Sequence, residues 1–273
     1  DFGSQGKLPT HPELLEWLAG WFMDNGWDVK VLHRLIVNSA TYRQSSQAPH
    51  ELVERDPFNL LLARGPQQRL QAEQIRDSAL AASGLLNRTI GGPSVKPYQP
   101  SGLWEAAGTG AKYTQDKGDK LYRRSLYTFV KRTSPPPSLL TFDATSREVC
   151  TAKRETTTTP LQALVLMNDP QFVEASRVLG QRLLKTFPGD ENAQIREAFR
   201  ELTGRLPDKG ETVILRRLFA EQKEFYAKET GEADKLLATG ESKRDESLPR
   251  ADSAATTMLV NTIMNFDEFV MER

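Results

Sequence analysis

The apolar positions of the chain repeat with the period of an α-helix near both ends and lose that period in the middle. In the N-terminal part, residues 1–90, the apolar side chains between 14 and 22 lie on one predicted helical face, and Asn25-Gly26 follows them as a C-terminal stop. The pattern predicts four helices in this part, beginning after Thr10, after the cap residue Asp28, at Asp56-Pro57 and at Leu70.

The helical period returns at residue 159. Thr159 is a hydroxyl N-cap followed by proline, and Asn168-Asp169-Pro170 ends one helix and begins another. The predicted helices of 159–227 precede the segment 228–250, which is charged, lacks aromatic residues, and is expected to be a mobile linker or an excursion from the fold. A closing helix is predicted within 251–273.

Residues 91–158 have no helical period and form a predicted loop-rich insertion. The insertion begins with GGPSVKPYQPSG, and only Ser125–Val130 (SLYTFV) has the β-branched and aromatic content of a strand. Loops of this length are often functional. We therefore expect one mostly α domain over 1–273, an irregular helical bundle with a loop-rich insertion that contains at most a short strand or hairpin.

The composition of the chain argues against several classes of protein. The 273 residues include 36 basic and 36 acidic side chains, so bulk charge gives no reason to expect nucleic acid as a partner. The longest apolar runs, such as Leu164–Met167, are far shorter than the roughly 20 residues of a membrane span. The single cysteine, Cys150, cannot form an internal disulfide. A start at Asp1-Phe2-Gly3, without methionine, indicates a piece of a longer protein.

The insertion concentrates positive charge in an otherwise neutral chain. Between Lys120 and Arg154 there are eight basic residues and two acids, which gives a local charge of +6. Guanidinium groups pair with carboxylate, sulfate or phosphate, and Pro135–Pro137 would hold the loop extended with little entropy to lose on binding. The predicted anion-binding residues are Arg123, Arg124, Arg132, Arg147 and Arg154, with Tyr127 and Tyr122 as stacking surfaces.

Two alternatives compete with an anion-binding surface. The arginines would tether the insertion to the helices if they served as donors to its irregular backbone carbonyls. A polysaccharide hydrolase or lyase would instead use Asp143, Glu148 and His11 as its acid–base groups. Cys150 has no histidine near it in sequence to act as a base, and the three histidines do not predict a metal site. We therefore expect a non-catalytic domain.

Several blocks of the sequence carry a resemblance to a known family. They include HPELLEWLA, LHRLIVNSATYRQSS, GGPSVKPYQPSGLWE, YRRSLYTFVKRTSPPPSLLTFDA and TTTTPLQALVLMNDPQFVEA. In this order they resemble a planctomycete-specific family of unknown function. The resemblance covers nearly the whole chain and weakens over 186–250. Val130 and Thr158 stand where the family pattern has an aromatic residue and an asparagine.

The resemblance implies a setting and partners. It implies the C-terminal domain of a secreted, periplasmic or cell-envelope protein, with upstream domains of the same polypeptide as partners. One of these would be a cytochrome c-like haem domain, whereas this chain lacks the haem-attachment motif and is expected to hold no cofactor. We therefore predict a binding or docking module whose insertion contacts an anionic polysaccharide or an acidic partner domain. A third hypothesis is that this domain has a purely structural role and docks the cytochrome-like domain.

Overall fold

The computed structural model describes residues 4–108 and 110–272, and these are mostly α-helical, as predicted. The α-helices are α1 (Pro12–Asp24), α2 (Val29–Asn38), α3 (His50–Arg55), α4 (Ala72–Ser83), α5 (Leu103–Ala106), α6 (Pro137–Thr141), α7 (Pro160–Asn168), α8 (Pro170–Thr186), α9 (Glu191–Thr203), α10 (Lys209–Lys228), α11 (Thr230–Leu237), α12 (Arg250–Met264) and α13 (Asp267–Val270). Single-turn 3-10 helices lie at Gly118–Lys120 and Ser125–Tyr127, and strands β1 (Gln68–Arg69) and β2 (Met271–Glu272) pair with each other.

The chain divides into two compact units, residues 1–68 with 271–273 and residues 69–270. In the first unit, α1, α2 and α3 contain no buried residue. The cap of α2 is confirmed, because Asp28 Oδ1 accepts hydrogen bonds from the N–H groups of Lys30 (2.9 Å) and Val31 (3.1 Å).

The third helix of the first unit is displaced from its predicted position. It ends at Arg55, just before the Asp56-Pro57 pair at which the sequence pattern places its start, and that prediction is wrong. The Asp56 carboxylate accepts hydrogen bonds from the N–H groups of Leu60 (2.8 Å) and Leu61 (2.7 Å). The Asp56 carboxylate therefore stabilises the turn that follows α3. Aspartate before proline suits a turn as well as a helix start, so the local pattern does not separate the two.

The core of the second unit surrounds α12. This helix packs against α8 and α10 and is buried on most of its circumference, which its many alanine, serine and threonine side chains permit. Gly180 of α8 allows the backbone of α12 to approach closely, because a Cβ atom there would lie 3.2 Å from the backbone carbon of Thr256.

The remaining C-terminal helices follow the predicted order. Asp169 separates α7 from α8 and caps α8, its Oδ1 atom accepting from the N–H of Gln171 at 3.0 Å. Gly204, at φ +77°, ends α9 before α10 begins.

The charged segment 228–250 is packed into the second unit. It contains α11, whose Ala233 and Leu237 are buried in a cluster with Ala254. Beyond α11, the N–H of Ser242 donates to the carboxylate of Glu174 at 2.6 Å. These contacts attach the segment to the core, because two apolar side chains at i and i+4 are enough to anchor a mostly charged helix.

The described part of the insertion contains short helices and irregular backbone. Ser125–Val130 is not a strand: its first three residues form a 3-10 turn, and Thr128 makes only an isolated parallel bridge with Val95. Propensity alone does not make a strand where no partner strand supplies a ladder of hydrogen bonds. Several carbonyl groups of the insertion accept hydrogen bonds from arginine side chains instead.

Candidate functional site

Arg76 of α4 is the main attachment point of the insertion. Its side chain is almost fully buried, with 2% of the residue exposed. The guanidinium donates to the carbonyl oxygens of Leu121 (2.6 Å) and Arg123 (2.9 Å), to Ser125 Oγ (3.1 Å) and to Gln171 Oε1 (2.6 Å). Burial lowers the pKa of Arg76, and nearby acids oppose that change. One arginine thus connects the helical core to three residues of the irregular backbone.

Arg123, predicted to bind an anion, is buried and holds another part of the insertion. Its guanidinium donates to the carbonyl oxygens of Pro93 (2.9 Å), Thr89 (3.1 Å) and Gly91. It also lies over the ring of Tyr127, with Cζ 3.8 Å from the ring centroid. Arg123 is therefore a tether, and the face of the Tyr127 ring that it covers is not available for stacking on a sugar.

Two further predicted residues pair with acids of α4. Arg154 makes a two-pronged ion pair with Glu73, Nη1 to Oε2 at 2.6 Å and Nη2 to Oε1 at 3.0 Å. Burial of Glu73 is the largest single effect and opposes its ionisation, but the hydrogen bonds from Arg154, a backbone hydrogen bond and the charges of Arg154 and Arg147 together lower the pKa of Glu73. Arg124 is more exposed, and its Nε lies 3.8 Å from Asp77 Oδ2.

Arg132 and Arg147 remain exposed on the surface of the insertion. Arg147, at φ +62°, lines a narrow crevice together with Val130 and Pro135, so its loop lies beside the segment that carries Arg132. Within the described residues, neither arginine forms an ion pair, and the same is true of the exposed Lys120 and Lys153. These four residues, Lys120, Arg132, Arg147 and Lys153, are called the exposed cations below.

The predicted stacking residue Tyr122 belongs to a buried polar cluster. Its hydroxyl donates to Glu174 Oε1 at 2.9 Å, and the hydroxyl of Tyr98 donates to Oε2 of the same carboxylate at 2.9 Å. Burial, together with the charge of Glu174, raises the pKa of Tyr122 to about 12. Arg177 of α8 completes the cluster by donating to the carbonyl oxygen of Ser242 at 2.6 Å. With 8% of the residue exposed, Tyr122 offers no open ring face.

Among the described residues, no hydrogen bond joins any two of the acid–base candidates Asp143, Glu148 and His11. Both oxygens of Asp143 are engaged, since they accept from Thr157 N (2.8 Å) and Thr157 Oγ1 (2.9 Å) and from the guanidinium of Arg69. Glu148 is exposed. His11 belongs to the first unit, where its Nδ1 lies 2.9 Å from Thr10 Oγ1. Asp143 therefore stabilises the loop, and this leaves it poorly placed to act as a general acid or base.

Comparison with known proteins supplies a family. The sequence profile of PSD1, described as a protein of unknown function (DUF1553), matches residues 1–219. The chain belongs to this family. The matched part of this PSD1 chain includes the whole insertion and ends within α10. No curated protein and no solved structure matches the chain significantly.

Among the described helices, none is both long and apolar enough to cross a membrane. Over residues 4–108 and 110–272, no group of three or more histidine, cysteine, aspartate or glutamate side chains is arranged to hold a metal ion. Cys150 is exposed and forms no disulfide.

Sequence reasoning missed Arg76 and Glu174, which organise the insertion. Both lie among the buried residues of their helices: Arg76 follows Ile75 on the buried side of α4, and Glu174 lies between Val173 and Ala175 of α8. A charged residue at a core position of an amphipathic helix is the signal that points to them, because such a residue must be paired when it is buried.

Proposed function

We propose that this domain is a non-catalytic binding module that holds an anionic polysaccharide, sulfated or uronic, against Arg132 and Arg147. The proposal rests on one observation: some arginines are buried or paired within the domain, whereas others are exposed. Arg76, Arg123 and Arg154 attach the insertion from inside, while Arg132 and Arg147 stay exposed on neighbouring loops.

The internal attachment supports binding as well as stability. The segment that carries Arg132 is closed by a turn in which the N–H of Ser134 donates to the carbonyl oxygen of Lys131 at 2.9 Å. A loop held in this way loses little conformational entropy when a ligand arrives. Exposed guanidinium groups on such a loop present fixed donors, in the fork geometry that suits sulfate and carboxylate. The exposed cations Lys120 and Lys153 would add long-range attraction that salt screens.

The setting that we propose is a secreted or cell-envelope protein with further domains upstream, one of them a cytochrome c-like haem domain. The sequence blocks that resemble the planctomycete family support this setting. An acidic partner domain is the competing ligand for the exposed arginines, and the binding experiment separates it from a polysaccharide.

The test is calorimetric titration of the chain with heparin, alginate and neutral dextran at two salt concentrations. Heparin and alginate should bind and dextran should not, and each charge reversal, Arg132→Glu or Arg147→Glu, should weaken binding about tenfold, equivalent to about 1.4 kcal/mol. Arg196→Glu and Lys209→Glu are matched controls, because both residues are exposed and belong to α9 and α10, outside the insertion.

Two outcomes would overturn the proposal. One is equal weakening by the control reversals, which would indicate attraction to bulk charge and no site. The other is the absence of binding to either anionic polysaccharide by a chain that is folded, and in that case an acidic protein partner becomes the better hypothesis.

A further inference from the structure

The helices of the first unit leave an apolar groove of about 900 Å³ open to solvent. On α1 it is lined by Leu14, Trp17, Leu18 and Trp21, which repeat at three- and four-residue spacing and therefore share one face of the helix. The rings of Trp17 and Trp21 stack, with centroids 6.4 Å apart. Leu14 and Trp17 are nevertheless 45% and 54% exposed, so α1 presents its apolar face to water.

The rest of the groove is mostly apolar as well. Its other apolar lining residues belong to α2 and to the loops after α2 and α3: Val31, Leu35, Ile36, Tyr42, Leu61 and Leu62. A contiguous apolar surface of this kind on a folded chain is typical of an interaction site.

The acids beside the groove lie on α1. This helix has Glu13, Glu16 and Asp24 and no basic residue. Glu13 precedes Trp17 by four positions, and Asp24 follows Trp21 by three, so both carboxylates lie next to the apolar stripe. One helix of the groove is therefore flanked by negative charge.

The cations beside the groove lie on α2. This helix has Lys30, His33 and Arg34 and no acid. Arg34 itself lines the groove, and Lys30 lies one turn before it on the same side of the helix. The second helix of the groove therefore carries positive charge.

These opposite charges are not paired with each other inside the chain. Over residues 4–68, the only contact of ion-pair length joins His50 Nδ1 to Glu54 Oε1 at 3.5 Å, and both residues belong to α3. The acids of α1 and the cations of α2 are therefore available to a partner that brings the opposite charges.

A second copy of this chain brings both. A copy related by a two-fold axis places α1 of each chain against α2 of the other, so acids face cations in both contacts and the apolar faces cover each other. The two helices have 13 and 10 residues, so they are about 20 Å and 15 Å long and can lie along one another. A partner whose charge has a single sign would face like charge on one of the two helices.

We propose that this groove is the interface of a symmetric homodimer, in which α1 of one chain packs against α2 of the second copy. Fifteen residues line the groove, which is close to the roughly 20 residues that each partner contributes to a specific interface. The lining contains none of the exposed cations, so this proposal and the proposed polysaccharide surface can fail separately.

The test is sedimentation-velocity ultracentrifugation of the full chain, which should detect a dimer with a Kd of about 10 µM or tighter. Two charge-reversed variants, Glu13→Lys with Asp24→Lys and Lys30→Glu with Arg34→Glu, should each weaken association by about tenfold or more, because α1 and α2 then carry the same sign. An equimolar mixture of the two variants should dimerise again. In the mixed dimer each α1 meets an α2 of opposite charge, whereas the repulsion within each chain is unchanged.

Matched controls separate the interface from general effects of charge and folding. Glu221→Lys with Glu229→Lys changes net charge equally at exposed acids of the second unit and should leave association unchanged. Trp17→Asp should abolish the dimer, whereas Val213→Asp, at a position of α10 that is 66% exposed, should not.

Three results would overturn the proposal. The first is an unmodified chain that stays monomeric at about 100 µM, which would leave the groove to a different partner, such as another protein or a lipid surface. The second is a charge-reversed variant or a Trp17→Asp chain that dimerises as tightly as the unmodified chain. The third is a mixture of the two charge-reversed variants that associates no better than either variant alone.

Discussion

Replacing Gly240 by alanine tests whether the charged segment after α11 is attached to the core as the structure shows. Gly240 has φ +89°, and a Cβ atom there would lie 2.3 Å from Glu174 Cδ and 2.5 Å from Oε1. The Glu174 carboxylate has little room to move, because it accepts hydrogen bonds from Tyr98, Tyr122 and Ser242 and is 1% exposed.

The cost of Gly240→Ala has two parts. A non-glycine residue in the left-handed region costs about 1–2 kcal/mol. Displacing the carboxylate would break about two hydrogen bonds to a charged group, each contributing about 1.5–3 kcal/mol. We therefore expect a loss of about 4–8 kcal/mol, which is comparable with the whole stability of a typical domain at about 5–15 kcal/mol.

Gly204→Ala is the matched control. Gly204 also has positive φ, +77°, but an added Cβ would have no atom within 4 Å, so only the conformational cost of about 1–2 kcal/mol applies. The measurement is urea unfolding of both variants followed by circular dichroism. Costs that agree within about 1 kcal/mol would refute the contact with Glu174. If the loss of stability lies at the upper end of the expected range, Gly240→Ala will not fold, whereas Gly204→Ala will.

Three further predictions concern buried or half-buried charges. Arg76→Met should destabilise the chain by about 3 kcal/mol in urea unfolding, because it leaves buried carbonyl groups without a donor, and a loss below about 1 kcal/mol would contradict the tethering role. A double-mutant cycle with Glu73→Gln and Arg154→Met should give a coupling of about 1 kcal/mol at pH 7. Because the pKa of Glu73 is lowered on folding, that coupling should fade as the pH falls below 4.5, and a coupling independent of pH would exclude the ion pair as its source. Asp169→Asn should raise stability at pH 8 by up to about 3 kcal/mol and have little effect near pH 4. The reason is that folding raises the pKa of Asp169 from 3.8 to about 6, so the ionised carboxylate opposes folding above that pH. Destabilisation by this substitution at pH 8 would contradict the reasoning.

Local patterns in the sequence determined most of the helices. Proline after Thr159 and after Asp169 starts α7 and α8, and Asp28 caps α2, because capping and fixed φ act within a few residues of the chain. The same reasoning failed at Asp56, where aspartate before proline suits a turn as well as a helix start, and at Ser125–Val130, where no partner strand supplies a ladder of hydrogen bonds among the described residues. It did not predict α11 within 228–250, because the two buried apolar residues of that helix are outnumbered by charges.

What the sequence determined about the candidate site was its location and its charge: eight cations and two acids in one irregular segment. Only the tertiary structure decided which cations face inward. Arg123 meets carbonyl groups about 30 residues earlier in the chain, and Arg154 meets Glu73 across 81 residues, whereas Arg132 meets solvent. A guanidinium group serves equally well as a tether or as a ligand, so its role depends on which acceptors the fold brings within reach.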